Sequence, residues 1–253
     1  MAKSSRLLGS PWLDVLAIAA WGILFLQYWL TGRLNLLIHP NYMGLTVVAG
    51  VGLLLISGWR ALTLWQRSRR HQPSSAPAQH LTLFPPGWSS AILLATAIVG
   101  LVVTPRAFAS QTAIQRGVTE TMTMTRVKPQ AFRASNKSED KSIIDWIRTL
   151  SLYPEPDAYT GQKAKVQGFV IHSPDFPAQY LLISRFVITC CAADVYPVSL
   201  PVKLTQDRSA YKPDTWLEVE GQMVTETLAG KRQLAIAATN LKPIPEPKNP
   251  YDY

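Results

Sequence analysis

"RFVITCCAADVYPVSLPVKL", residues 185–204, decides how the C-terminal half of this chain is read. In its second part Val198, Leu200, Val202 and Leu204 fall on one face and Ser199, Pro201 and Lys203 on the other, the period of a half-buried strand. Its first part, "RFVIT", is rich in β-branched and aromatic residues. Between the two lie the only cysteines of the chain, Cys190 and Cys191, side by side.

Working outward, the same period of two recurs. "KAKVQGFVIH" (163–172), "YLLISRFVITCC" (180–191), "VSLPVKL" (198–204), "TWLEVEGQMV" (215–224) and "RQLAIAATNLKPI" (232–244) are strand-like segments separated by turn residues. Gly168 inside the first predicts a bulge or sharp bend, as in a strand shared between two sheets of a closed barrel. The expected fold of residues 142–253 is therefore mainly β, an OB-like five-stranded barrel, with a small β-sandwich as the alternative. Just before it, "SIIDWIRTLSLYPEP" predicts a short amphipathic helix: Ser142 and Asp145 form a capping box, and Pro154 ends the pattern. Residues 109–141 are polar and read as an extended stalk.

Upstream the composition changes. Leu13–Leu30, Met43–Trp59 continuing through "RALTLW", and Trp88–Val103 continuing to Phe108 are apolar stretches of a length near the ~20 residues a membrane-spanning helix needs. Tryptophans 12, 29, 59, 65 and 88 sit at or near their ends, where indoles favour the headgroup region. Residues 1–108 thus read as three transmembrane helices in a lipid bilayer, with a Pro- and Ser-rich linker at 66–87. The flanks set the orientation. Lys3, Arg6, Arg60, Arg67, Arg69 and Arg70 lie on one side and only Arg33 and Arg106 on the other. The positive-inside rule then puts the N-terminus and the linker in the cytoplasm and the β domain outside.

The net charge of +9 follows the same division: residues 1–108 hold +7 and the remainder +2. Topology accounts for the excess, and nucleic acid is not an expected partner. Asp14 in the first helix is either an ion-path group or a snorkelling or capping residue. Ala107-Phe108-Ala109 has the small-x-small form of a signal-peptidase site, which leaves cleavage after Ala109 as an alternative.

No GxSxG, HExxH, Walker A or helix-opening GxGxxG is present, and enzymatic activity is not expected. For the cysteines three readings stand: small buried packing residues, a metal or cofactor contact, or a disulfide or redox pair. A regular strand through residue 191 would send their side chains to opposite faces, so a shared site requires the strand to end or bulge there. Asp194 and His172 are the nearest candidate co-ligands, and thiolate, imidazole and carboxylate together suit zinc. The competing readings are a turn-initiating Asp194 and a solvent-facing His172 at a strand end.

"GFVIH", "RFVITCCAADVYPV", "WLEVEG" and the terminal "PYDY" resemble the YcgQ-like family of bacterial membrane proteins, described as permease subunits. The resemblance spans the helices and the outer domain and is most specific over Arg185–Asp194. It implies a partner, a polytopic membrane permease subunit, in a two-component complex, with metal-ion homeostasis as the suspected role. Cys191 and Asp194 match the family's signature, and Cys190 falls where other members carry histidine. The chain lacks the histidine-rich loop of some members, having "QRSRRHQPSSAPAQH" instead. The reading is of a non-catalytic permease accessory subunit whose outer domain binds or presents a ligand or ion, with candidate ligands Cys190, Cys191, Asp194 and His172 and zinc as candidate cofactor. The alternative is an extracytoplasmic thiol redox or membrane-assembly factor using Cys190 and Cys191.

Overall fold

The structure, a computed structural model, is described for residues 11–70, 87–117 and 138–253. Lys3, Arg6, the loop histidines His71 and His80 and most of the polar stretch before residue 138 lie outside the described residues. The chain divides into two compact units, Met1–Arg106 and Ala107–Tyr253.

The first unit is helical: α1 (Pro11–Leu30), α2 (Pro40–Arg69) and α3 (Trp88–Val102). Two of these, α1 and α2, are long and apolar enough to cross a membrane, and α3 is a shorter apolar helix of 15 residues. The expected extension of α3 to Phe108 is not found. Val103 is already extended, and Thr104 precedes Pro105, whose ring disfavours helical geometry in the residue before it. Helix α1 packs against both others. Gly22 and Gly50 let it approach α2, because a Cβ at Gly22 would meet Leu54 at 2.9 Å. The Tyr28 hydroxyl donates to the Gly100 carbonyl of α3 at 2.6 Å. At the other end Ser90 Oγ donates to Asp14 Oδ1. Asp14 is thus engaged in joining two helices, and its negative charge lies by the first turn of α3, whose own cap, Gly87, offers no side chain.

In the second unit, part of the expected stalk is folded: α4 (Ser110–Gln115) is a short helix with Ala113 fully buried. The capping box forms at Ser142 and Asp145 and starts α5 (Ile143–Leu152), which buries Ile143, Ile144, Trp146 and Ile147. Six strands follow: β1 (Lys163–Ile171), β2 (Tyr180–Val187), β3 (Tyr196–Lys203), β4 (Trp216–Leu228), β5 (Lys231–Pro243) and β6 (Tyr251–Asp252). They make a mixed sheet of order β1-β4-β5-β3-β2-β6 with a further β1–β2 pairing. Strand β1 pairs with β4 up to Phe169 and with β2 from Phe169 onward. Gly168 stands at this change of partner, where a Cβ would run into the Ser184 carbonyl.

Two expectations are corrected. Strand β3 is not half-buried, since Pro197, Ser199 and Pro201 are covered as well as Val198, Leu200 and Val202. Ser199 tolerates burial because its hydroxyl donates to Ser184 Oγ at 2.8 Å, which in turn donates to the Val198 carbonyl at 3.0 Å. Strand β2 ends at Val187, short of the cysteines, and the two-residue β6 joins its edge in parallel.

Candidate functional site

The strand ends where a carboxylate takes over its amides. After Val187, the Ile188 amide pairs with the Asp252 carbonyl of the β6 segment at 3.1 Å. The amides of Cys190 and Cys191 donate to Asp194 Oδ2 and Oδ1 at 2.8 and 3.1 Å, and Thr189 Oγ1 donates to Oδ2. Asp194 N closes a turn onto the Cys191 carbonyl at 3.0 Å. Alternation is thereby broken, and the two sulfurs lie on the same side, 3.6 Å apart. They and an Asp194 oxygen all fall within 4.8 Å of one another.

That separation has chemical content. A disulfide holds its sulfurs about 2.05 Å apart. Two thiolates on one tetrahedral zinc, with bonds of about 2.3 Å, stand roughly 3.8 Å apart. Both cysteines are free, Cys190 exposed and Cys191 half-exposed, so the packing reading does not describe them. The Asp194 carboxylate accepts from Thr189 Oγ1, from both cysteine amides and from the Cys190 thiol, which uses the roughly four positions a carboxylate offers.

The electrostatics follow from the same contacts. The Cys190 thiol, hydrogen-bonded to the Asp194 carboxylate and next to the Cys191 thiol, is pushed up to about 11. Burial alone would raise Asp194, but the hydrogen bonds from Thr189, Cys190 and Cys191 outweigh it and hold the carboxyl below its ordinary value. A protonated thiol beside a carboxylate is a poor nucleophile. A divalent cation at the same point reverses the balance, because a coordinated thiol loses its proton.

Residues 13–119 match the DUF1980 N-terminal domain and residues 118–253 match the DUF1980 C-terminal domain. The chain belongs to the DUF1980 family. No curated protein and no solved structure matches it.

Of the four candidate ligands in this DUF1980 chain, the fold brings together three. His172, one residue past β1, has its Nε2 2.7 Å from the Tyr211 carbonyl and is not part of the Cys190, Cys191 and Asp194 group. Its place is that of a strand-end residue with a local partner. Sequence reasoning missed Thr189, which anchors the Asp194 carboxylate, and it missed the β6 strap. The strap had a signal in "PYDY": Tyr251 is buried, and Arg185 reaches it through Asp252 at 3.2 Å and the Asn249 carbonyl at 3.2 Å. The arginine at the head of the Arg185–Asp194 stretch therefore fastens the strap.

Proposed function

We propose that this DUF1980 chain is a non-catalytic accessory subunit of a two-component membrane permease, whose outer β domain binds and presents a cation at Cys190, Cys191 and Asp194. The observation that carries the reading is the convergence of two free thiols and a carboxylate in one solvent-accessible turn. Zinc is the proposed ion, on the donor set and the sulfur separation.

The membrane half of the reading is supported by what the helices leave exposed. Leu45, Val48 and Leu55 of α2 are each about 70% exposed, and Val99 and Val102 of α3 are also open. In lipid these faces are solvated by acyl chains. Helix α3, about 22 Å long at 1.5 Å per residue, serves as a third and short span, with local thinning and its Trp88 anchor making up the difference. With the N-terminus cytoplasmic, the cysteine turn lies outside. The pairings β1–β4, β4–β5, β5–β3, β3–β2 and β2–β1 return to their start, which supports an OB-like barrel with β6 as an addition. The polytopic partner comes from the YcgQ-like resemblance.

The test is affinity isolation of the full-length chain from membranes, with identification of co-purifying proteins and metal analysis. Wild type is expected to bring down a polytopic protein and to carry zinc, and Cys191→Ser to lose the metal while keeping the partner. A preparation with no polytopic companion and no metal overturns the reading. The thiol-redox alternative is favoured instead if non-reducing titration finds no reactive thiols in the folded oxidised protein.

A further inference from the structure

The cysteine turn is exposed in the middle and buried at both ends. Ile188 before it and Val195 after it are 0% and 2% exposed, and each is held by a segment distant in sequence. On the first side, the Ile188 amide is bound to Asp252, continuing the pairing of Phe186 with Tyr251 and Val187 with Asp252. On the second, the Val195 carbonyl accepts from the Arg116 guanidinium.

The two holds are joined to each other. Arg116 lies over the Phe108 ring, 5.2 Å from its centre. Phe108 in turn packs against Tyr251 and Phe186, with ring centres 6.2 and 5.7 Å away, and its amide donates to the Tyr251 hydroxyl at 3.3 Å. The segment carrying Phe108 and Arg116 is fixed between them by Ser110, whose amide donates to Asp214 Oδ1 at 2.6 Å, and by the buried Ala113.

From this geometry we infer that the segment 107–116, the stretch of chain that follows α3, positions the two thiols, with Arg116 as the positioning residue. The route is short. Val195 adjoins Asp194, and the Asp194 carboxylate sets both cysteine amides. Docking of the segment and occupancy of the turn by a cation are then linked, and linkage is reciprocal. The cation half rests on the function proposed above. The positioning half is read on the thiols alone.

The experiment uses the full-length protein in detergent. Alkylation rates of Cys190 and Cys191 are followed by peptide mass spectrometry, and hydrogen exchange of β4 and β5 serves as the fold control. Arg116→Ala is expected to change the alkylation rates about tenfold, the weight of one charge-assisted hydrogen bond, and to weaken zinc binding by a similar factor. Arg116→Lys, which can donate to the Val195 carbonyl but lacks the planar group over Phe108, recovers part of the effect. Zinc is expected to slow exchange across residues 107–116 in wild type. Unchanged alkylation in Arg116→Ala with β4 and β5 still protected overturns the inference. If wild type binds no zinc, the cation reading fails while the alkylation result still decides the positioning role. Should Arg116→Ala disturb β4 and β5, Tyr251→Phe carries the test. It removes the acceptor of the Phe108 amide, and unchanged thiol rates in it are equally fatal.

Discussion

Asp194 organises the turn and sets the chemistry of its thiols. Asp194→Asn keeps one carbonyl oxygen, enough for one of the two cysteine amides, and removes the negative charge, so the Cys190 thiol falls from about 11 toward the ordinary 9.0. At pH 8 that raises the thiolate fraction by roughly a hundredfold. The less basic thiolate is also less nucleophilic, which takes back about a factor of ten. Alkylation of Cys190 at pH 8 is therefore expected to speed up by about tenfold, and its pH–rate profile to shift to lower pH. A profile that does not move would mean that Asp194 does not govern the thiol. Because the raised thiol must release its proton to bind a cation, zinc affinity is expected to climb with pH up to about 11, measured by competition with a chromophoric chelator. The identity of these residues was legible in the sequence, where "CCAAD" stood out. Their convergence was not, because it depends on a carboxylate capturing amides four and three residues before it, and hydrophobic period carries no trace of that.

At the scale of elements, the sequence reads best where a local rule acts alone. The Ser142 and Asp145 capping box is of that kind, and Ser142→Ala is expected to cost about 1 kcal/mol, seen as faster hydrogen exchange across α5. Strand ends and faces were harder, since burial of Ser199 depends on Ser184 from another strand, and the end of β2 on the β6 strap. The glycines show the same division. Gly22 and Gly52 look alike in sequence, yet a side chain at Gly22 collides with Leu54 and the Gly50 carbonyl, while a Cβ at Gly52 would meet no neighbouring element within 4 Å. Gly22→Val is expected to separate α1 from α2 and lower the midpoint of unfolding in mixed detergent by a clear margin. Gly52→Ala, which only adds helix propensity of up to about 1 kcal/mol, should leave the midpoint unchanged or raise it. Equal effects from the two would contradict the packing of α1 on α2.

At the scale of the whole molecule, the basic excess of the sequence lies in residues 1–108, and the fold divides after Arg106. The cleavage alternative has its bond at Ala109–Ser110, and that peptide is engaged by the second unit: Phe108 sits among Phe186 and Tyr251, and the Ser110 amide is held by Asp214. Once the domain is folded, a protease that needs the residues around the bond extended meets them already in use. The proposed topology can be tested with the molecule's own two cysteines, which are the only thiols it has and are solvent-accessible. In intact spheroplasts a membrane-impermeant maleimide should label them at the rate seen after permeabilisation, and prior addition of zinc should slow both equally. Labelling that appears only after permeabilisation would place the β domain in the cytoplasm. The count of positive charges on the flanks would then have misled, and the third apolar helix, the shortest of the three, would be the first to be struck from the list of spans, because two crossings instead of three return the domain to the side of the N-terminus.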